Sequence, residues 1–117
     1  MRLLVFVLND EELLDDLLES FVHRGIKGAT ILDSMGMARA LTSSNSSNNI
    51  PIFGSLKLML NEGRTSNKTI FVALREEQLE TCIQSIKQVV GSLDKPDSGI
   101  LFTLPIDYIE GFSKTEG

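Results

Sequence analysis

A chain of 117 residues fits one domain built round one core, spanning residues 1–117. With 42% hydrophobic and 23% charged residues it has the composition of an ordinary soluble globular protein, which sets aside disordered and collagen-like classes. The net charge of −5, with acids grouped between Asp10 and Glu19, argues against a nucleic-acid partner, whose phosphates need a basic face.

The longest apolar run, Leu3 to Leu8, is far too short to span a bilayer. No cationic segment followed by a long apolar core marks a leader, so a cytoplasmic protein without a transmembrane segment is expected. That first run is apolar on both alternating faces, as in a strand covered on two sides. Asn9 or Asp10 can cap a following helix whose first turn carries Glu11 and Glu12, carboxylates at the positive end of the helix dipole. Leu13, Leu14, Leu17, Leu18, Phe21 and Val22 fall on one stripe, and Asp15, Asp16, Glu19 and Ser20 fall opposite. Gly25 is a natural left-handed stop, and His23 just before it reads as a helix-terminal cation. A strand over Ala29 to Met35 follows.

The second half repeats the first. Thr69 to Leu74 is another strand, Arg75, Glu76 and Glu77 open another helix, and Leu79, Cys82, Ile83, Ile86, Val89 and Val90 recur at helical spacing before Gly91. At an offset of about 66 positions Leu8 falls on Leu74 and Gly25 on Gly91. After the turn-rich residues 92–99 comes a short strand, Ile100 to Leu104. The order βαββαβ implies an α+β, ferredoxin-like sandwich: one antiparallel sheet with two helices on one face. Leu3, Val5 and Val7 alternate with Leu4, Phe6 and Leu8, and Ile70 and Val72 with Phe71 and Ala73. The sheet face away from the helices is therefore also apolar and calls for a partner.

An insert separates the two halves. Thr42, Ser43, Ser44, Asn45, Ser46, Ser47, Asn48 and Asn49 form a polar run with no apolar anchor, expected as a flexible, partner-facing loop. Pro51 to Leu60 reads as a short amphipathic helix, and Asn61 to Lys68 as the turn back to the sheet. Catalytic material is thin. One histidine, one cysteine and one tyrosine lie far apart, the acid pairs sit in helical first turns or on solvated faces, and no His/Cys/carboxylate group has metal-ligand spacing. The sole Cys82 precludes an intrachain disulfide and reads as a small buried hydrophobe. The chain reads as a binding protein rather than an enzyme, and no motif names a cofactor.

Three stretches resemble the nitrogen-regulatory PII-like signalling family. GIKGATILDSMGMAR, from Gly25 to Arg39, is similar to that family's second strand, glycine turn and entry to a long loop. TIFVALREEQLETCIQSI resembles its third strand and second helix, and PDSGILFTLP its second glycine turn and fourth strand. The resemblance implies a homotrimer that binds an adenine nucleotide in clefts between subunits and docks its loop on a transporter or enzyme. By position, Thr30 would meet the adenine, Gly36, Met37 and Arg39 would lie at the nucleotide side of the loop, and Ser98 and Gly99 would match the second glycine turn. Departures are equally specific. Ala38 stands where the family has a glycine, Ile100 where it has a phosphate-binding lysine, and residues 107–117 offer only Lys114 in place of its C-terminal arginines. Each such lost charge-assisted bond is worth roughly 1.5–3 kcal/mol, so the resemblance implies a diverged nucleotide site. Other βαββαβ regulatory modules, amino-acid-binding or metal-responsive, and a ligand-free interaction subunit remain open as alternatives.

Overall fold

The computed structural model describes residues 1–37, 66–95 and 98–112. Arg39, the loop from Thr42 to Asn49 and the helix expected over Pro51 to Leu60 lie outside these residues, as do Ala38, Lys114 and most of the expected Asn61 to Lys68 turn. Among the described residues the order is β1 (Arg2–Leu8), a 3-10 turn (Glu11–Leu13), α1 (Leu14–His23), β2 (Ala29–Ser34), β3 (Asn67–Leu74), α2 (Glu76–Val90) and β4 (Gly99–Pro105). One four-stranded sheet runs in the order β2-β3-β1-β4, with every neighbouring pair antiparallel.

The helix starts differ from simple expectation in one detail. Asp10 does act as a cap, its carboxylate accepting from the Glu12 N–H at 3.2 Å, but the turn it caps is a tight 3-10 turn, closed by Leu13 N–H to Asp10 C=O at 3.1 Å. The end of α1 follows from Gly25. At φ +82° this residue lets Ile26 N–H reach Phe21 C=O at 2.8 Å while its own N–H bonds Val22 C=O at 3.1 Å. That paired reversal turns Ile26 inward, where it is buried in the cluster that holds Phe21. Gly91 ends α2 at φ +91° and ψ −157°, a conformation open in practice only to glycine. At the start of α2 the Gln78 side chain accepts from Arg75 N–H at 3.2 Å.

Alternation along the strands sorts the side chains into two faces. Leu4, Phe6 and Leu8 on β1 and Ile70, Val72 and Leu74 on β3 are fully buried, packed with Leu17, Phe21, Cys82 and Ile86 of the two helices. The helices meet at Ser20 and Ser85, whose hydroxyls lie 2.6 Å apart, so the buried Ser85 side chain has its partner. The internal repeat is visible in the register. Val5 pairs with Phe71, its own counterpart at the offset of 66, which places a local two-fold axis between them. By the same symmetry Thr30, beside Phe71, corresponds to Phe102, beside Val5. Thr30 follows Gly25 by five positions while Phe102 follows Gly91 by eleven, so the second helix-to-strand connection is six residues longer.

The other face of the sheet is apolar and open. Its cross-strand rows read Leu104–Leu3–Ala73, then Phe102–Val5–Phe71–Thr30, then Ile100–Val7–Thr69–Leu32. The outer members are solvent-facing: Ile100 is 57% exposed, Phe102 44%, Leu104 47% and Leu32 51%. Glycine is required where β4 begins. A Cβ at Gly99 would stand 2.3 Å from the Val7 carbonyl oxygen and 3.0 Å from the Phe6 ring, and its φ of +127° is strained for any L side chain. Gly36, by contrast, has nothing within 4 Å of such a Cβ. Gly99→Ala should therefore cost more than about 2 kcal/mol in urea unfolding, and Gly36→Ala less than about 0.5 kcal/mol. Equal costs would contradict this account of β4.

Candidate functional site

The pairings bring the two glycine turns to one end of the sheet. Leu8, at the end of β1, pairs with Lys68 near the start of β3 and with Gly99 at the start of β4, while Ser34 at the end of β2 pairs with Asn67. Gly36 and Met37 follow β2 at this end, and Ser98 precedes β4 there. Yet β2 and β4 are the opposite edges, separated by three strand spacings of about 4.8 Å, or about 14 Å. A single copy thus places the expected ligand residues at the right end but in two separate halves. Thr30 is exposed on the open face beside Phe71, in the middle of its strand rather than at that end. Met37 is 79% exposed. Ser98 is half-buried, and its hydroxyl donates to the Lys95 carbonyl at 2.7 Å, so it is held by its own turn.

The residues flanking the insert form a polar network that linear reading passed over. On the open face the Ser34 hydroxyl bonds the Asn67 side-chain oxygen and lies 2.7 Å from the Thr69 hydroxyl, and Asn67 Nδ2 donates to Asn9 Oδ1 at 3.4 Å. On the helix face Lys68 pairs with Asp33 and, at 3.5 Å, with Glu11. Ser66 Oγ donates to that same Glu11 carboxylate at 3.0 Å. Both ends of the insert are thereby fastened to each other and to the first turn before α1. The available signal was parity: with Ser34 opposite Asn67, Asp33 and Lys68 must share a face. Glu11 was read only as a dipole-favoured acid, and its bridging role needs the fold.

Electrostatics limit what this end can do unaided. The hydrogen bond to Asp33, opposed by desolvation and helped by the charges of Asp33 and Glu11, raises the Lys68 pKa above 10.5. Its charge is thus already shared between two carboxylates rather than offered to a phosphate. Elsewhere, burial pushes the Cys82 thiol up to about 12, so it stays protonated and is no nucleophile. His23 is exposed in the last turn of α1, on the rim of an open groove of about 330 Å³ between the helices that Asp16, Glu19, Arg24 and Gln88 also line. Among the described residues no group of three or more His, Cys, Asp or Glu side chains is placed to hold a metal ion. Among them, too, no helix is long and apolar enough to cross a membrane.

The Lys68 bridge has a definite pH signature. Because the folded pKa lies above the unfolded value, its stabilisation is fully present below about pH 10.5 and is lost as pH rises through the folded value. The difference in Tm between wild type and Lys68→Met should shrink in that alkaline range, and a pH-independent difference would mean that Lys68 acts by packing alone. Cys82 should resist a thiol reagent in the native protein and react once denaturant is added. No family model matches this chain, and no curated protein matches it.

Proposed function

We propose that this chain is a subunit of a PII-like regulatory homotrimer, a cytoplasmic signalling protein of the nitrogen-regulation type. In this reading it takes a small anionic ligand, in the first instance an adenine nucleotide, between subunits and acts on a client transporter or enzyme through the insert between β2 and β3. The observation that carries it is the open sheet face. Its three rows contain no charged residue in a chain of net charge −5, whereas an antiparallel face left in water normally alternates to polar side chains. Covering Leu32, Ile100, Phe102 and Leu104 contributes on the order of 1 kcal/mol each, given that they are roughly half-exposed.

Further features agree with this. Two helices on one face and the order β2-β3-β1-β4 support a ferredoxin-like sandwich, the arrangement that the resemblance implies. The split of Gly36 and Met37 from Ser98 and Gly99 on opposite edges supports a cleft completed by a second subunit. A second reading, an interaction subunit that takes no ligand, is favoured by Gly99. Its glycine is already demanded by the approach of Val7, which removes ligand contact as the reason for it, and Ile100 follows where a phosphate-binding lysine stands in the family.

Light scattering should report three chains per particle, and Phe102→Glu should give monomers with an unchanged far-UV circular dichroism spectrum. A stable wild-type monomer at micromolar concentration would overturn the assembly. Thermal shift with ATP separates the two readings. A rise in Tm that grows with concentration supports a nucleotide site, and a flat response at saturating ATP leaves the ligand-free subunit.

A further inference from the structure

Resting on the reading of the insert as the element that acts on a client, we propose that Glu11 is a latch through which the insert's return to the sheet sets the form of the turn leading into α1. That turn is tight. Leu13 N–H reaches the Asp10 carbonyl at 3.1 Å and Leu14 N–H bonds the Glu11 carbonyl, both three-residue steps. Residues 11–13, Glu-Glu-Leu, suit an α-helical turn equally well, being good helix formers with two carboxylates at the positive end of the dipole. The Asp10 cap on Glu12 N–H does not choose between the two forms, because a capping carboxylate makes that bond to an α-helix as well. What favours the tight form is where Glu11 is fastened. Its Oε1 accepts from Ser66 Oγ at 3.0 Å and lies 3.5 Å from Lys68 Nζ. Between them Asn67 Nδ2 donates to Asn9 Oδ1 at 3.4 Å, so three consecutive residues at the start of β3 hold both neighbours of Asp10.

Geometry makes this latch and an α-helical turn exclusive. A 3-10 turn advances about 120° per residue and an α-helix about 100°, so rewinding Glu11–Leu13 rotates Glu11 by about 60° round the helix axis. The body of α1 cannot rotate in its place, because Leu17 and Phe21 are buried in the core. Glu11 therefore leaves Ser66 and Lys68 when the turn rewinds, and keeping them requires the tight form. Coupling runs both ways. A client whose grip on the insert draws Ser66 and Lys68 from Glu11 favours the α-helical turn, and by linkage a variant already in that form binds the client more tightly.

Nuclear Overhauser contacts in the full chain, without ligand or client, test this. In the tight turn Asp10 Hα lies close to Glu12 N–H, whereas in an α-helical turn it lies close to Leu14 N–H. The wild type should show the first contact and lack the second, and Ser66→Ala/Lys68→Met should gain the second. Glu11→Met, which leaves both partners in place, should gain it too. Methionine matches glutamate in helix propensity, and losing a charge at the positive end of the dipole works against the α-helix, so neither effect accounts for the gain. Ser66→Thr, which keeps the hydroxyl, and Asp33→Asn, which frees only the other side of Lys68, should retain the wild-type pattern. A folded Glu11→Met protein with the wild-type pattern overturns the latch. Asp33→Asn gaining the Leu14 contact as fully as the double variant would show a general loosening at the base of the insert and overturns it as well. A wild-type monomer or a flat response to ATP removes the regulatory reading and leaves the dependence of the turn on Glu11, whereas an unchanged turn removes the latch alone.

Discussion

Strand β1 is the constraint on which the rest of this structure depends. It pairs along its whole length with β3 on one side and β4 on the other, so its backbone groups are satisfied in both directions and its side chains alone decide what each face becomes. Leu4, Phe6 and Leu8 supply the floor of the core, and both helices take their place by burying Leu17, Phe21, Cys82 and Ile86 against it. A slip of one residue against β3 would put Leu3, Val5 and Val7, in place of this set, on the face that Ile70 and Leu74 turn to the helices. Gly99 belongs to the same constraint, because β4 can reach the end of β1 only if no Cβ stands against the Val7 carbonyl.

The scaffold is nearly symmetric, and the candidate functional features are not. Val5 and Phe71 lie on the local two-fold axis, and each half contributes one strand to the centre, one helix to the layer above and one strand to an edge. Departures from symmetry collect at the sheet end where the insert leaves and returns. Ser34, Asn67 and Thr69 meet there on one face, and Glu11, Asp33, Ser66 and Lys68 meet there on the other. The residues that flank the insert are thereby tied together on both faces of the sheet. Gly99, packed close against the Val7 carbonyl, begins β4 at this same end.

Much of this was legible in the chain. The strands and helices follow from local alternation and helical spacing, and their bounds differ from expectation by a residue or two: β2 stops at Ser34 rather than Met35, and β3 begins at Asn67 rather than Thr69. Gly25 and Gly91 mark helix ends because a left-handed residue is a local backbone requirement. An apolar second face was readable from six consecutive residues of β1. These features share one property: the residues that create them lie within a few positions of each other.

What only the tertiary structure decided involves partners far apart in sequence. The sequence placed a glycine turn at Ser98 and Gly99, but that Gly99 is required by strand approach appears only once β4 lies beside β1. Lys68 was part of a turn until pairing set it between Asp33 and Glu11, and Ser34 was the ordinary end of a strand until Asn67 and Thr69 came opposite. The two glycine turns read as two sides of a cleft between subunits, and only the strand order shows that one copy carries them on opposite edges. The physical reason is range. Periodicity and turn chemistry act over neighbouring residues and are written in them, whereas register and strand order emerge when distant segments bury their apolar faces together.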